Sequence, residues 1–276
     1  MDEVNPCSRS WRVLVSGLFL SLVLLAGCSL PFLPRTPQLP QIPGMPDLPD
    51  LGQLPDLLRD LGLPDLSGIP GLPQLADLPG VDLGPNAMAF AGPTERRLAI
   101  GDRIPGTDIQ LVAVGDQGAE FRIAGLRSVR TVGDSLDFDG DWPGIQGVRY
   151  SLRLRIYRVG EDSVRVAGVH RLVVEGIQPQ AMPVTLSGTV LKVPYTGSAR
   201  VGETLKGLTY GYGGQEERGA RVTGMPQEEY PYRKVGDSLR WSGYLRPDIP
   251  IEYNLRVAFV GQERFQVVGV ASLQLP

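Results

Sequence analysis

Val132-Gly133-Asp134-Ser135-Leu136 recurs unchanged as Val235-Gly236-Asp237-Ser238-Leu239, and this repeat limits the possible folds more than any other feature. A longer pattern recurs around it in the same order. Ile100-Gly101-Asp102 returns as Val201-Gly202-Glu203, Gly118-Ala119 as Gly219-Ala220, Tyr150-Ser151-Leu152-Arg153 as Tyr253-Asn254-Leu255-Arg256, and Gly168-Val169 as Gly269-Val270. Two tandem homologous modules are expected, at residues 94–180 and 181–276.

Each copy reads as short strands separated by turn signals, the signature of an all-β chain. Tyr150, Leu152, Leu154 and Ile156 alternate with Ser151, Arg153 and Arg155, which predicts a strand with one buried and one wet face. Tyr253, Leu255, Val257 and Phe259 give the same alternation in the second copy. Val159-Gly160-Glu161-Asp162 and Val260-Gly261-Gln262-Glu263 predict hairpin turns, and Gly168 and Gly269, inside the return strands, predict a bulge in each. The expected fold is a pair of small β-sandwich or β-barrel domains following a polyproline-II-like linker.

That linker, residues 28–93, keeps a period of three. Pro31, Pro34, Pro37, Pro40, Pro43, Pro46 and Pro49 share one register, and Pro55, Pro64, Pro70, Pro73, Pro79 and Pro85 continue it. The position before is apolar, as in Leu33, Leu48, Leu66, Leu72, Leu75 and Leu78. Three residues per turn is the period of polyproline II, so the expectation is a three-edged rod with proline, leucine and polar edges. At ~3.1 Å per residue the extended series would reach about 170 Å. Gln53 to Leu61 departs from the rhythm and predicts a short amphipathic helix. The rod reads either as a plain spacer or as a strip whose leucine edge docks on something.

Ahead of the linker, Arg9 and Arg12 precede an apolar run from Val13 to Leu25 that closes in Leu25-Ala26-Gly27-Cys28. The run is short for a permanent membrane helix. Residues 1–27 ending at Cys28 resemble the signal peptide and lipobox of bacterial lipoproteins. The resemblance implies cleavage before Cys28, acylation of its thiol and attachment to a membrane through those acyl chains. In two-membrane bacteria an aspartate after the cysteine holds such proteins at the inner membrane; Ser29 in its place implies the outer membrane in such a host, and the cell surface in a host with one membrane. Cys7 would leave with the signal, so the exported part would carry no free thiol.

Little in the rest points to catalysis. Gly-Asp-Ser-Leu occurs twice, but a serine nucleophile needs a base and a strand-to-helix setting. The chain has one histidine, His170, replaced by Ala271 in the second copy. It falls on the apolar phase of its strand and reads as a core histidine. Asp134 and Asp237 read as turn residues bonding local backbone. Asp134, Asp137, Asp139 and Asp141 form the densest carboxylate group, yet Arg240, Ser242 and Tyr244 stand at the last three positions in the second copy, so no shared metal site is expected. Net charge is −3, without a basic field for nucleic acid. Tyr210, Tyr212, Tyr230 and Tyr232, near Gly211, Gly213 and Gly214, are the candidate binding face, the other reading being strand packing. The expectation is a non-catalytic cell-envelope protein without a cofactor, displaying two β modules on a stalk to bind a glycan, a cell-wall polymer or an envelope protein; the alternative is a structural or assembly subunit of an envelope complex whose modules pair edge to edge with other β proteins.

Overall fold

The computed structural model describes Pro64, Leu66, Ile69 and residues 71–276. Cys28, the signal segment and the helix expected over Gln53 to Leu61 lie outside the described residues. The described part is all-β. Its first half contains β1 (Ala87–Ala99), β2 (Gln110–Gly115), β3 (Gly118–Ile123), β4 (Leu126–Arg130), β5 (Ser135–Asp141), β6 (Val148–Val159) and β7 (Ser163–Glu175). Its second half contains β8 (Gln180–Ala181), β9 (Thr189–Arg200), β10 (Gly211–Glu216), β11 (Gly219–Thr223), β12 (Tyr232–Arg233), β13 (Ser238–Arg246), β14 (Ile249–Val260) and β15 (Arg264–Leu275).

Each half builds one large and one small antiparallel sheet. The large sheets run β1-β7-β6-β5 and β9-β15-β14-β13-β8, and the small ones β2-β3-β4 and β10-β11-β12. Alternation explains them: along β6, Val148, Tyr150, Leu152, Leu154 and Ile156 are buried while the arginines between them face out. Along β14, Ile249, Ile251, Tyr253, Leu255 and Val257 are buried in the same way. Each such apolar side chain contributes about 1.5–3 kcal/mol relative to exposure.

The repeated Val-Gly-Asp strings are turns. Gly133 and Gly236 take φ values of 96° and 91°, a region open to glycine at no steric cost. Asp134 and Asp237 each accept a hydrogen bond from the backbone N–H three residues earlier, at Thr131 and Lys234. That bond holds the Asp134 carboxyl below its ordinary pKa.

Three expectations need correction. β1 begins at Ala87, so a boundary at residue 94 cuts through it. Register places Leu152 opposite His170 and Tyr253 opposite Ala271, so the counterpart of Tyr253 is Leu152, two residues beyond the tyrosine matched by sequence. Gly168 and Gly269 pair regularly. The register shifts lie instead between Ile156 and Arg158 and between Val257 and Phe259. The glycines serve close approach: a Cβ there would lie 2.0 Å from the Arg153 carbonyl oxygen and 2.1 Å from that of Asn254.

The last triplets of the linker lie on the β structure. Leu66, Ile69, Leu72, Leu75, Leu78 and Val81 are buried or half-buried, whereas Ala76, Asp77, Pro79 and Asp82 are exposed. The leucine edge therefore turns inward here, as its period of three requires. Arg171, on the outward face of β7, donates to the Pro79 carbonyl. Its same-face neighbours Val169 and Val173 are buried, although they point away from the main core.

The halves share one apolar cluster, in which Phe90, Tyr150 and Leu172 join Tyr195, Tyr253 and Leu273. They do not form one continuous sheet. β1 and β9 are edge strands, and Pro93 and Pro194 lie within them. Proline has no N–H to donate, which stops ladder formation at those positions. The edges pack instead: a Cβ on Gly92 would lie 2.3 Å from Pro194 Cδ. Crossed bonds tie the ends, with Trp142 Nε1 donating to the Pro276 carbonyl (3.3 Å) and the Gln178 N–H to the Leu245 carbonyl (2.8 Å). Arg246 adds three further partners. It pairs with Asp248 and donates to the carbonyls of Glu175 (3.1 Å) and Gln146 (2.6 Å) in the first half.

Candidate functional site

The two small sheets differ where their third strand arrives. β4 follows β3 directly through Ala124-Gly125, whereas β12 arrives after a loop carrying Pro226 and Pro231. Proline cannot donate to a ladder, so the loop stays out of the sheet until Tyr232 pairs with Arg221 and Arg233 with Ala220. That detour presents Tyr230 at the surface, 58% exposed, with Tyr232 beside it. Their ring centroids lie 5.5 Å apart at an interplanar angle of 54°.

Three cations surround the pair. The Arg218 guanidinium sits 4.4 Å from the Tyr232 ring centroid and donates to its hydroxyl (3.3 Å). The Tyr232 hydroxyl donates to Glu216 Oε2 (2.8 Å), and that bond raises its pKa. Arg233 is held by the Tyr230 and Tyr232 carbonyls and by Glu229. Lys234 completes the row. With Asp237 and Ser238 these residues line an open depression of about 450 Å³. The lining itself carries three cations against one carboxylate, Asp237, which accepts from the Lys234 N–H, while Glu216 and Glu229 lie outside the lining on Tyr232 and Arg233 and offset part of that charge. The chemistry on offer is stacking surface combined with charge-assisted donors for a carboxylate or phosphate.

Tyr210 and Tyr212 do not join this face, contrary to the sequence expectation. Tyr212 is fully buried, stacks on Phe265 at 5.4 Å between centroids and donates to the Gly261 carbonyl (2.5 Å). Tyr210, 4% exposed, borders a second depression of about 790 Å³ shared with Met182, Met225, Pro226 and Trp241. The neighbouring glycine explains the misreading: a Cβ on Gly211 would meet Thr223 Oγ1 at 2.7 Å and the Glu203 carbonyl oxygen at 3.0 Å. It serves strand packing rather than a loop. Arg218, Arg233 and Lys234 went unread, although the run Tyr230-Pro231-Tyr232-Arg233-Lys234 carries the signal.

His170 and the serines are not brought together by any bond. His170 is 1% exposed and shares a hydrogen bond with the Tyr150 hydroxyl through Nδ1 (3.2 Å). Burial first, and the Arg96 guanidinium second, push its pKa down to about 3. Burial likewise raises the Tyr150 pKa. Ser135 lies in the β5–β6 ladder opposite Arg155, and Ser238 opposite Arg256. Asp137, Asp139 and Asp141 are exposed along β5, and Asp139 pairs with Arg153 at 2.6 Å. Among the described residues, no three His, Cys, Asp or Glu side chains converge as a metal site, and no helix is long and apolar enough to cross a membrane.

Compared with protein-family models, with curated proteins and with solved structures, the chain matches none.

Proposed function

We propose that this chain is a non-catalytic lipoprotein of the bacterial cell envelope, anchored through acyl chains on Cys28. Its β head binds an acidic glycan or cell-wall polymer at the Tyr230–Tyr232 depression. The observation that supports this reading is the exposed Tyr230 beside the half-buried Tyr232, with Arg218, Arg233 and Lys234 around them. A sugar ring offers a flat C–H face to an aromatic side chain, and its carboxylate or phosphate fits a guanidinium fork. The linker sets the head off from the membrane surface, shortened by the triplets from Leu66 to Val81 that lie on the head.

Retention of the purified protein on immobilised acidic cell-wall polymer tests the binding. The wild type should be retained, and Arg218→Ala or Tyr230→Ala with Tyr232→Ala should elute early. Absence of retention, or retention indifferent to these changes, overturns the site. Cys28→Ser tests the anchor: it should release the protein from the membrane fraction and block acyl labelling.

A further inference from the structure

The outer edge of the first large sheet is open where that of the second is filled. β13 receives β8 on its outer side, with Gly243 opposite Ala181 and Tyr244 opposite Gln180. The Met182 N–H then donates to the Ser242 carbonyl (3.2 Å). The counterpart strand, β5, ends its sheet with no strand beyond it among the described residues. Its even-numbered residues bond inward: the Trp142 N–H donates to the Val148 carbonyl and the Ile156 N–H to the Asp134 carbonyl. Alternation therefore turns the N–H and C=O groups of Asp137, Asp139 and Asp141 outward along the edge.

The two edges are built alike down to one glycine. Counting from the repeated Ser-Leu, Gly140 is the counterpart of Gly243, with Phe138 for Trp241. A Cβ on Gly140 would touch Phe138 Cζ at 2.8 Å, and one on Gly243 would touch Trp241 Cη2 at 2.6 Å. At Gly243 the incoming strand also crowds in, with the Gln180 carbonyl oxygen 2.1 Å from that Cβ position. β5 keeps this glycine and this aromatic without an occupant among the described residues.

We infer that β5 is a docking edge for an extended segment of a partner protein, added as a further antiparallel strand with lysine or arginine at alternate positions. The charge pattern selects the partner. Across β5 and β6, Asp137 stands opposite Arg153 and Asp141 opposite Arg149, so acidic and basic rows already alternate. A basic strand continues that alternation on the free side of β5, where opposite charges directly across a ladder are favourable. A second copy of β5 would instead set carboxylates against carboxylates, which disfavours self-pairing. The edge belongs to the first half and the tyrosine depression to the second, so this inference stands apart from the glycan reading and either can fail alone.

The test titrates the full-length protein in detergent with a labelled peptide alternating lysine and threonine, and with the same peptide carrying glutamate for lysine. The lysine peptide should bind at least about tenfold more tightly, a difference of ~1.4 kcal/mol. Binding should slow amide hydrogen exchange at Asp139 and Asp141. Asp137→Lys with Asp139→Lys and Asp141→Lys should reverse the peptide preference. Gly140→Ala, which places a methyl in the path of the incoming backbone, should weaken binding while circular dichroism stays that of the wild type. The inference is overturned by equal affinity for both peptides, by binding without slowed exchange at the edge, or by self-association of the protein through β5.

Discussion

The large sheets of the two halves solve one packing problem with different chemistry. Around the close approach at Gly168, the first half places Thr94, Arg96 and His170 on the inward face, with the Tyr150 hydroxyl as the histidine's partner. Around Gly269, the second half has Tyr195, Gly197 and Ala271 at the corresponding positions. There one tyrosine fills the space: Tyr195 lies 4.8 Å from the Tyr253 ring, and its hydroxyl donates to the Lys206 carbonyl (2.8 Å). The same backbone thus tolerates a polar cluster or an aromatic plug, and each leaves a buried polar atom without a partner among the described residues: Arg96 Nε and His170 Nε2 in the first half, the Tyr253 hydroxyl in the second. The edges diverge likewise, β13 being closed by β8 and β5 having no strand beyond it among the described residues. What the halves share is backbone contact, and what separates them is side chains and edges.

Gly168→Ala and Gly269→Ala attack the shared part and should have the largest effect. Each methyl meets a carbonyl oxygen of the neighbouring strand, which cannot give way as a flexible side chain would. Each substitution should cost about 3 kcal/mol, the upper end for overpacking. Urea denaturation followed by tryptophan fluorescence should show the two losses equal within error and one transition in both variants, since the core is shared. Two resolved transitions would break the view of the halves as a single cooperative unit.

The next prediction separates the halves. The unfolded chain protonates His170 near 6.5, whereas the folded chain keeps it neutral down to about 3. Between these values the unfolded state binds the extra proton, so stability from this group is complete above pH 6.5 and falls with pH. The slope reaches about 1.4 kcal/mol per pH unit, or on the order of 2–3 kcal/mol between pH 6.5 and 4.5, before most carboxylates titrate. His170→Ala, which gives the first half the residue of the second, should flatten the stability profile in that window. An unchanged slope in the variant would show that the polar cluster does not govern acid sensitivity.

These contrasts mark how far the sequence could be read. Strand faces were legible because period-2 alternation is a local property, as Tyr150 to Ile156 illustrates. The Val-Gly-Asp turns were legible because glycine with an acid one residue on is a local hydrogen-bonding solution. Bulges were not: Gly168 marks the approach of the Arg153 carbonyl, a neighbour across the ladder that no local pattern announces. The tyrosine site was half legible. Tyr230 and Tyr232 stand in a proline-interrupted stretch and reach solvent, while Tyr210 and Tyr212 flank a glycine required by the packing of Glu203 and Thr223. The partnership of His170 with Tyr150 depends on which strands become neighbours, and composition does not encode that.

Arg246→Ala should have the third-ranking effect, about 2 kcal/mol, because it removes charge-assisted bonds to the Glu175 and Gln146 carbonyls and to Asp248. Arg246→Lys should restore little of it, since a single ammonium cannot serve three separated acceptors as a guanidinium fork does. The measurement sharpens the comparison because the first half has no such residue: Pro143 follows Trp142, where Arg246 follows Leu245.

Tyr195→Phe should have the smallest effect and the most specific one. It keeps the ring that fills the space left to Thr94 and Arg96 in the other half, and removes only the hydroxyl that donates to Lys206. Loss of one neutral hydrogen bond costs about 1 kcal/mol. The site affected is the loop from Val201 to Tyr210, which folds back over the core and buries Leu205 and Leu208. Hydrogen exchange should quicken at the amides of Leu205 and Leu208, held by the carbonyls of Tyr210 and Leu205, and stay unchanged at Ile104 and Thr107 in the first half. Faster exchange in both loops would mean that the hydroxyl supports the shared core rather than its own half, and the plug would no longer distinguish the two.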